Sequence, residues 1–129
     1  MSGPMEPPFG FALLRRAMEA ADVATILTCY ADDVLLTVIS ADPSIPPFRL
    51  AGIAELAKHF RTVFSRPAIR TVARPIIHAN KVRFVEDCRY ADGGWVRVDT
   101  TLQLANGLIT KQTDRVGIFY SGNVSAHIG

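Results

Sequence analysis

The chain has 129 residues, of which 14 are basic, 12 acidic and 49% apolar, for a formal charge of +2. That length suits one domain, which buries roughly two-thirds of the surface its unfolded chain exposes, and the interspersed charges set up no field favouring nucleic acid or an anionic membrane. The two cysteines, Cys29 and Cys88, stand in no metal-binding or disulfide spacing, and no apolar run nears the ~20 residues that span a bilayer, so a reducing, cytoplasmic setting without export or membrane insertion is expected.

Ser2 to Gly10 is rich in proline and glycine and reads as a loose arm before a single domain over 11–120, with a tail at 121–129. Phe11, Leu14, Ala17, Met18 and Ala21 recur at helical spacing and predict a first amphipathic helix. Asp22 is the expected N-cap of a second, shorter helix whose stripe is Val23, Ile26, Leu27 and Tyr30. Val34 to Ile39 is an aliphatic, β-branched run and predicts a buried strand; Ser40 to Leu50, with three prolines, predicts a loop. A third helix from Gly52 to Phe64 would bury Ile53, Leu56, Ala57, Phe60 and Phe64.

The period then falls from 3.6 to 2. Ile69 to His78, Lys81 to Tyr90, Trp95 to Leu104 and Leu108 to Tyr120 are four strand candidates joined by short links, the pattern of an antiparallel meander. Pro75 cannot donate to a ladder, which predicts an edge strand or a bulge there. Arg66, Arg70 and Arg74 form the densest basic cluster, but Pro67 and Pro75 interrupt it, and it reads as a solvated strand edge. The fold class is α+β: three helices packed on a strongly curved antiparallel sheet that encloses an apolar pocket.

Even-numbered positions form the drier face of the last three strands: Val82, Phe84, Glu86 and Cys88; then Val96, Val98, Thr100, Leu102 and Leu104; then Gln112, Asp114, Val116 and Ile118. Asp114 is inward only if the turn at Ala105-Asn106-Gly107 preserves that phase. A two-residue turn would pair Asp99 with Asp114, whereas a three-residue loop pairs Val98 with Asp114 and Thr100 with Gln112. The longer loop is preferred because it keeps the apolar residues of both strands together.

Under that register Asp114 and Glu86 are the candidate catalytic groups, since desolvation raises a carboxyl's pKa toward the range where it exchanges protons near neutral pH. Tyr30, Val38, His59, Phe60, Cys88, Val98, Thr100, Leu102, Gln112 and Val116 are the candidate ligand-binding residues. Five of them have a plainer reading: Asp114 as a group bonding a helix end or backbone amide or lying on the wet face, Glu86 as the partner of a buried arginine or a residue near a strand end, Tyr30 and Cys88 as core, His59 as a half-exposed surface residue. The dispersal of His59, His78 and His127 predicts no metal site. Nucleophile-elbow, phosphate-loop and H-E-x-x-H motifs are absent, and no cofactor is expected.

Four features in this order resemble the nuclear transport factor 2-like superfamily, in particular its SnoaL-like members. They are Asp22-Val23 opening a helix that ends in Tyr30-Ala31-Asp32-Asp33, a strand, a proline loop leading to Gly52 and a helix ending near Phe60, and Gly107-Leu108-Ile109 followed by Asp114. The resemblance implies a cone-shaped, cystatin-like α+β barrel with a deep pocket, homodimers through the outer sheet face, and relatives among polyketide cyclases, ketosteroid isomerases and limonene-epoxide hydrolases. It places Asp114 where cyclases and epoxide hydrolases keep an acidic residue. The isomerase tyrosine and basic aspartate are replaced by Leu14 and Val38, and the epoxide-hydrolase Arg-x-Asp pair by Glu86-Asp87-Cys88. The expected function is acid/base chemistry on an apolar, oxygen-bearing small molecule, with a non-catalytic ligand-binding or dimerisation domain as the alternative.

Overall fold

Two short helices lead into the sheet. The computed structural model describes residues 10–120, so the expected arm before Gly10 and the tail at 121–129 lie outside the described residues. Helix α1 (Phe11–Glu19) buries Leu14, Ala17 and Met18 of the predicted stripe, with Phe11 partly buried beside them, whereas Ala21 lies beyond the helix end with φ 55°. Helix α2 (Val23–Leu27) is capped by Asp22, which accepts from the Thr25 backbone N–H at 3.2 Å and from the Thr25 hydroxyl at 2.6 Å. It is only five residues long. The expected helical stripe therefore ends before Tyr30, which opens strand β1 (Tyr30–Ser40). The cause is a long-range bond: the Cys29 carbonyl accepts the Ile109 N–H at 2.8 Å and draws the chain into the sheet.

The segment read as loop from Ser40 to Leu50 contains the start of β2 (Phe48–Ala51), which pairs antiparallel with β1. All three prolines precede this edge strand, so none removes a ladder donor from it. Helix α3 (Ile53–Val63) matches the prediction, with Gly52 and Phe64 as its caps. Gly52 has φ 92°, which favours glycine, and Glu55 reaches back to accept the Ala51 N–H at 2.9 Å.

Strands β3 (Ile69–His78), β4 (Lys81–Arg89), β5 (Gly94–Ala105) and β6 (Leu108–Tyr120) form the expected meander. The sheet order is β2-β1-β6-β5-β4-β3. β6 lies beside β1 and runs parallel to it, so the curved sheet is mixed rather than wholly antiparallel, and it does not close. Pro75 satisfies both of its expected conditions: β3 is an edge, and its register with β4 slips between Ala73 and Ile76. On that edge the Val72 N–H donates to the Glu19 carboxylate at 2.9 Å, stitching α1 to β3.

The turn between β5 and β6 corrects the expected register while keeping the expected face. Asn106 and Gly107, with φ of 53° and 76°, form a two-residue turn that pairs Ala105 with Leu108. The ladder then slips at Thr110, and beyond that bulge Leu102 pairs with Gln112, Thr100 with Asp114 and Val98 with Val116. A short turn plus one extra residue thus restores the even-to-even phase that the longer loop was expected to supply.

The helix-covered face consequently carries cross-strand rows. One contains Val82, Leu102, Gln112, Leu36 and Leu50; the next Phe84, Thr100, Asp114, Val38 and Phe48; the third Val72, Glu86, Val98, Val116 and Ser40. A fourth begins with Arg70, Cys88 and Val96. Arg70 is 7% exposed, which overturns the solvated-edge reading for that residue, while Arg66 and Arg74 are exposed as expected. The first row merges with Leu14, Ile26 and Leu56 in the core; no helix among the described residues is long and apolar enough to cross a membrane.

Candidate functional site

The second and third rows floor a hollow of about 280 Å³ beneath α3. Of the twelve predicted site residues, ten line it: Asp114 and Glu86, together with Tyr30, Val38, His59, Phe60, Val98, Thr100, Gln112 and Val116. The other two do not. Leu102 is fully buried in the core, and Cys88 sits one row beyond Glu86 with its thiol toward that carboxyl.

Asp114 is fixed by its neighbours. Thr100 Oγ1 donates to Asp114 Oδ1 at 3.0 Å and Gln112 Nε2 donates to the same oxygen at 2.9 Å. The Gln112 amide is itself oriented by Tyr30, whose hydroxyl donates to Gln112 Oε1 at 2.5 Å. Asp114 Oδ2 has no hydrogen-bond donor among the described residues. Asp114 keeps accessible surface although protein encloses it, so that surface opens onto the hollow.

Burial pushes the Asp114 carboxyl up to about 6, against the opposing pull of the hydrogen bonds from Gln112 and Thr100. Glu86 rises to about 7, first through burial and then through the nearby Asp114 charge, with Arg70 and the Cys88 thiol pulling the other way. Burial and the Asp114 charge also push the Tyr30 phenol well above its ordinary value, so it stays protonated and serves as a donor. Cys88 is pushed up to about 12, chiefly by burial, and is no thiolate near neutral pH.

The opposite wall is aromatic. The Tyr30 and Phe60 rings lie 5.6 Å apart, Phe60 and Phe64 5.8 Å, and His59 sits 5.7 Å from Phe48 and 5.9 Å from Phe60. His59 is half-buried and faces the hollow; burial lowers its pKa, favouring neutral imidazole. Phe48 and Val63, each 42% exposed, belong to the lining but also reach the surface. Sequence reasoning missed Phe48 because the prolines before it read as loop. Phe84 and Val96 carried a usable signal, since they share the even face with Glu86 and Val98, and Phe64 lay on the predicted helix stripe.

Among the described residues, no group of three or more His, Cys, Asp or Glu gathers in metal-binding geometry. No protein-family model matches the chain, and no curated protein matches it. Solved structures do. A protein of unknown function from Burkholderia xenovorans aligns with a TM-score of 0.68 at 18% identity, over 82% of this chain and 78% of that one. Another from Mesorhizobium loti aligns at 0.67 and 15%, over 80% and 84%. Both are described as nuclear transport factor 2-like. This chain has the nuclear transport factor 2-like fold. A candidate ketosteroid isomerase from Kribbella flavida shares the fold, with a TM-score of 0.64 at 15% identity over 86% of this chain and 77% of that one. Within the fold, Leu14 is core and Val38 stands beside Asp114 in the parallel β1–β6 pair.

Proposed function

We propose that the hollow binds a small, apolar, carbonyl-bearing molecule and moves a proton on it, with Asp114 as base and Glu86 as acid. The chain would then be a cofactor-independent enzyme of isomerase or cyclase type. The supporting observation is Asp114 itself: one carboxylate oxygen is saturated by Thr100 and Gln112, the other opens onto an apolar cavity. The candidate isomerases among the structural neighbours, from Kribbella flavida and Bacillus subtilis, fit the same reading.

In the proposed step Asp114 Oδ2 takes a proton from the carbon next to the carbonyl, while protonated Glu86 delivers one to the carbonyl oxygen, giving an enol. The enol O–H returns its proton to Glu86 as Asp114 delivers its proton to carbon, at the same or a conjugated position. No oxidant or reductant is required. Glu86 and Asp114 stand two strands and one row apart, a spacing of roughly 10 Å or more before curvature, which leaves room for a ring between them. A cavity of about 280 Å³ is near the lower end for small-molecule sites and suits one or two rings.

Proton exchange on a two-ring ketone, β-tetralone in D₂O, tests this by NMR. The protein should accelerate deuteration next to the carbonyl, most between about pH 6 and 7, where Asp114 is ionised and Glu86 is still protonated. Asp114→Asn should reduce that acceleration by about 100-fold or more. Saturable binding without exchange would instead identify a non-catalytic ligand-binding domain.

A further inference from the structure

Arg70 is a charged residue inside the sheet face with an incomplete set of partners. Its Nη2 donates to the Arg66 carbonyl at 3.1 Å and to the Val63 carbonyl at 3.4 Å, and its guanidinium lies 4.8 Å from the centre of the Phe64 ring. These contacts fasten it to the C-terminal end of α3, where the helix dipole favours a cation. Its Nε is buried without a hydrogen-bond partner among the described residues. No carboxylate lies within ion-pair distance of it among the described residues; the carboxyl whose charge it influences is Glu86, one row away, with the Cys88 thiol within hydrogen-bonding reach of both. A cation held in a dry interior acts over a longer range than one in water.

We propose that Arg70 is a positioning residue: a guanidinium locked behind Cys88 by the end of α3, whose charge keeps Glu86 able to give up a proton at neutral pH. This rests on the acid role given to Glu86 above. The neighbours of Glu86 explain why a cation is needed there. Asp114 on β6 and Asp87 on β4 oppose its ionisation, Tyr30 on β1 is a neutral phenol, and His59 on α3 is a half-buried imidazole. From α1, Glu19 binds the backbone N–H of Val72, the residue paired with Glu86. Tyr90 and Arg66 stack on each other at 3.9 Å at the same end, with Arg66 paired to Asp92. Arg70 is the buried cation in this group. Without it, burial and like charge would act on Glu86 opposed only by the Cys88 hydrogen bond, and the acid would stay protonated through the working range.

Asp114 supplies an internal control. It is shifted by burial and by its bonds to Gln112 and Thr100, and Arg70 has no part in its shift. The test follows both side-chain carboxyl ¹³C signals through a pH titration of the ligand-free protein, in wild type, Arg70→Gln, Arg70→Met and Arg70→Lys. Arg70→Gln removes the charge while keeping a polar, donor-bearing side chain, though a shorter one. The Glu86 midpoint should rise by about one unit in the Gln and Met variants, return toward wild type in Arg70→Lys, and leave Asp114 in place. A Glu86 midpoint unmoved in Arg70→Gln, or both midpoints falling together as water enters a loosened hollow, would overturn the assignment. If Arg70→Met fails to fold, Arg70→Gln and Arg70→Lys decide the matter. Because no ligand is present, the outcome does not depend on whether β-tetralone exchanges.

Discussion

The two faces of the same strands treat carboxyl groups in opposite ways. On the outer face, Asp99 accepts two hydrogen bonds from Arg83, at 3.0 and 2.7 Å, and these hold its carboxyl below the ordinary value. Asp87 is pulled up by partial burial, but hydrogen bonds from Arg97 and Trp95 outweigh that and leave it lowered as well. On the inner face, Glu86 and Asp114 have no cation within ion-pair distance among the described residues, and burial drives both upward. Glu86 and Asp87 are chain neighbours. Strand phase, more than residue type, decides which acid is stabilised as an anion and which becomes reactive.

The largest test of this contrast is the pH dependence of stability. An inward carboxyl whose folded pKa lies above its unfolded one binds its proton more tightly in the native state, so stability falls as pH rises between the two values and levels off above the folded one. With Asp114 moving from 3.8 to about 6 and Glu86 from 4.5 to about 7, the loss between about pH 4 and 7 should be on the order of 5 kcal/mol at most. Urea denaturation across that range should show the decline, and the double variant Glu86→Gln, Asp114→Asn should flatten it. A wild-type curve already flat from pH 4 to 7 would erase the difference between the faces. The outward acids have the opposite sign: their lowered pKa values contribute stability above about pH 4 that is lost as pH falls further.

A smaller effect sharpens the inner half of the comparison. Tyr30→Phe removes the hydroxyl that orients Gln112 and should cost about 1 kcal/mol in thermal or urea unfolding. With its donor less fixed, Asp114 should titrate higher, readable in the same carboxyl spectra. The smallest effect belongs outside. Arg83→Met breaks an exposed, solvent-screened pair and should barely move the unfolding midpoint, an effect that shrinks further in high salt. Neither Glu86 nor Asp114 should shift in that variant; movement of either would mean the faces are coupled through the sheet.

Much of this arrangement was legible from residue order. The three helices, the four long hairpin strands and the inward phase of Glu86 and Asp114 follow from periodicity, capping and turn residues. What escaped had physical causes. The Val23, Ile26, Leu27 and Tyr30 spacing stays helical even though the chain leaves the helix at Thr28, because periodicity cannot sense a backbone bond to Ile109 far along the sequence. Phe48–Ala51 is too short to outweigh the prolines before it. The Thr110 bulge leaves no compositional mark, so the face was read correctly through the wrong register. Arg70 resembled its exposed neighbours Arg66 and Arg74, since the spacing of basic residues does not show that the end of α3, just before it in the chain, folds over its guanidinium. The side-by-side placement of β1 and β6 is likewise set by global topology.

That placement has a consequence for how the protein is made. The strand that sets Val38 in place is synthesised early, and the one carrying Asp114 is the last of the described elements to emerge. Until it does, β1 and β5 both expose unpaired edges toward a gap, and the chamber lacks a side. Among the described elements, the inner face therefore stays open and apolar until β6 docks between β1 and β5, a late, long-range pairing of the kind that folds slowly and exposes the chain to misassembly.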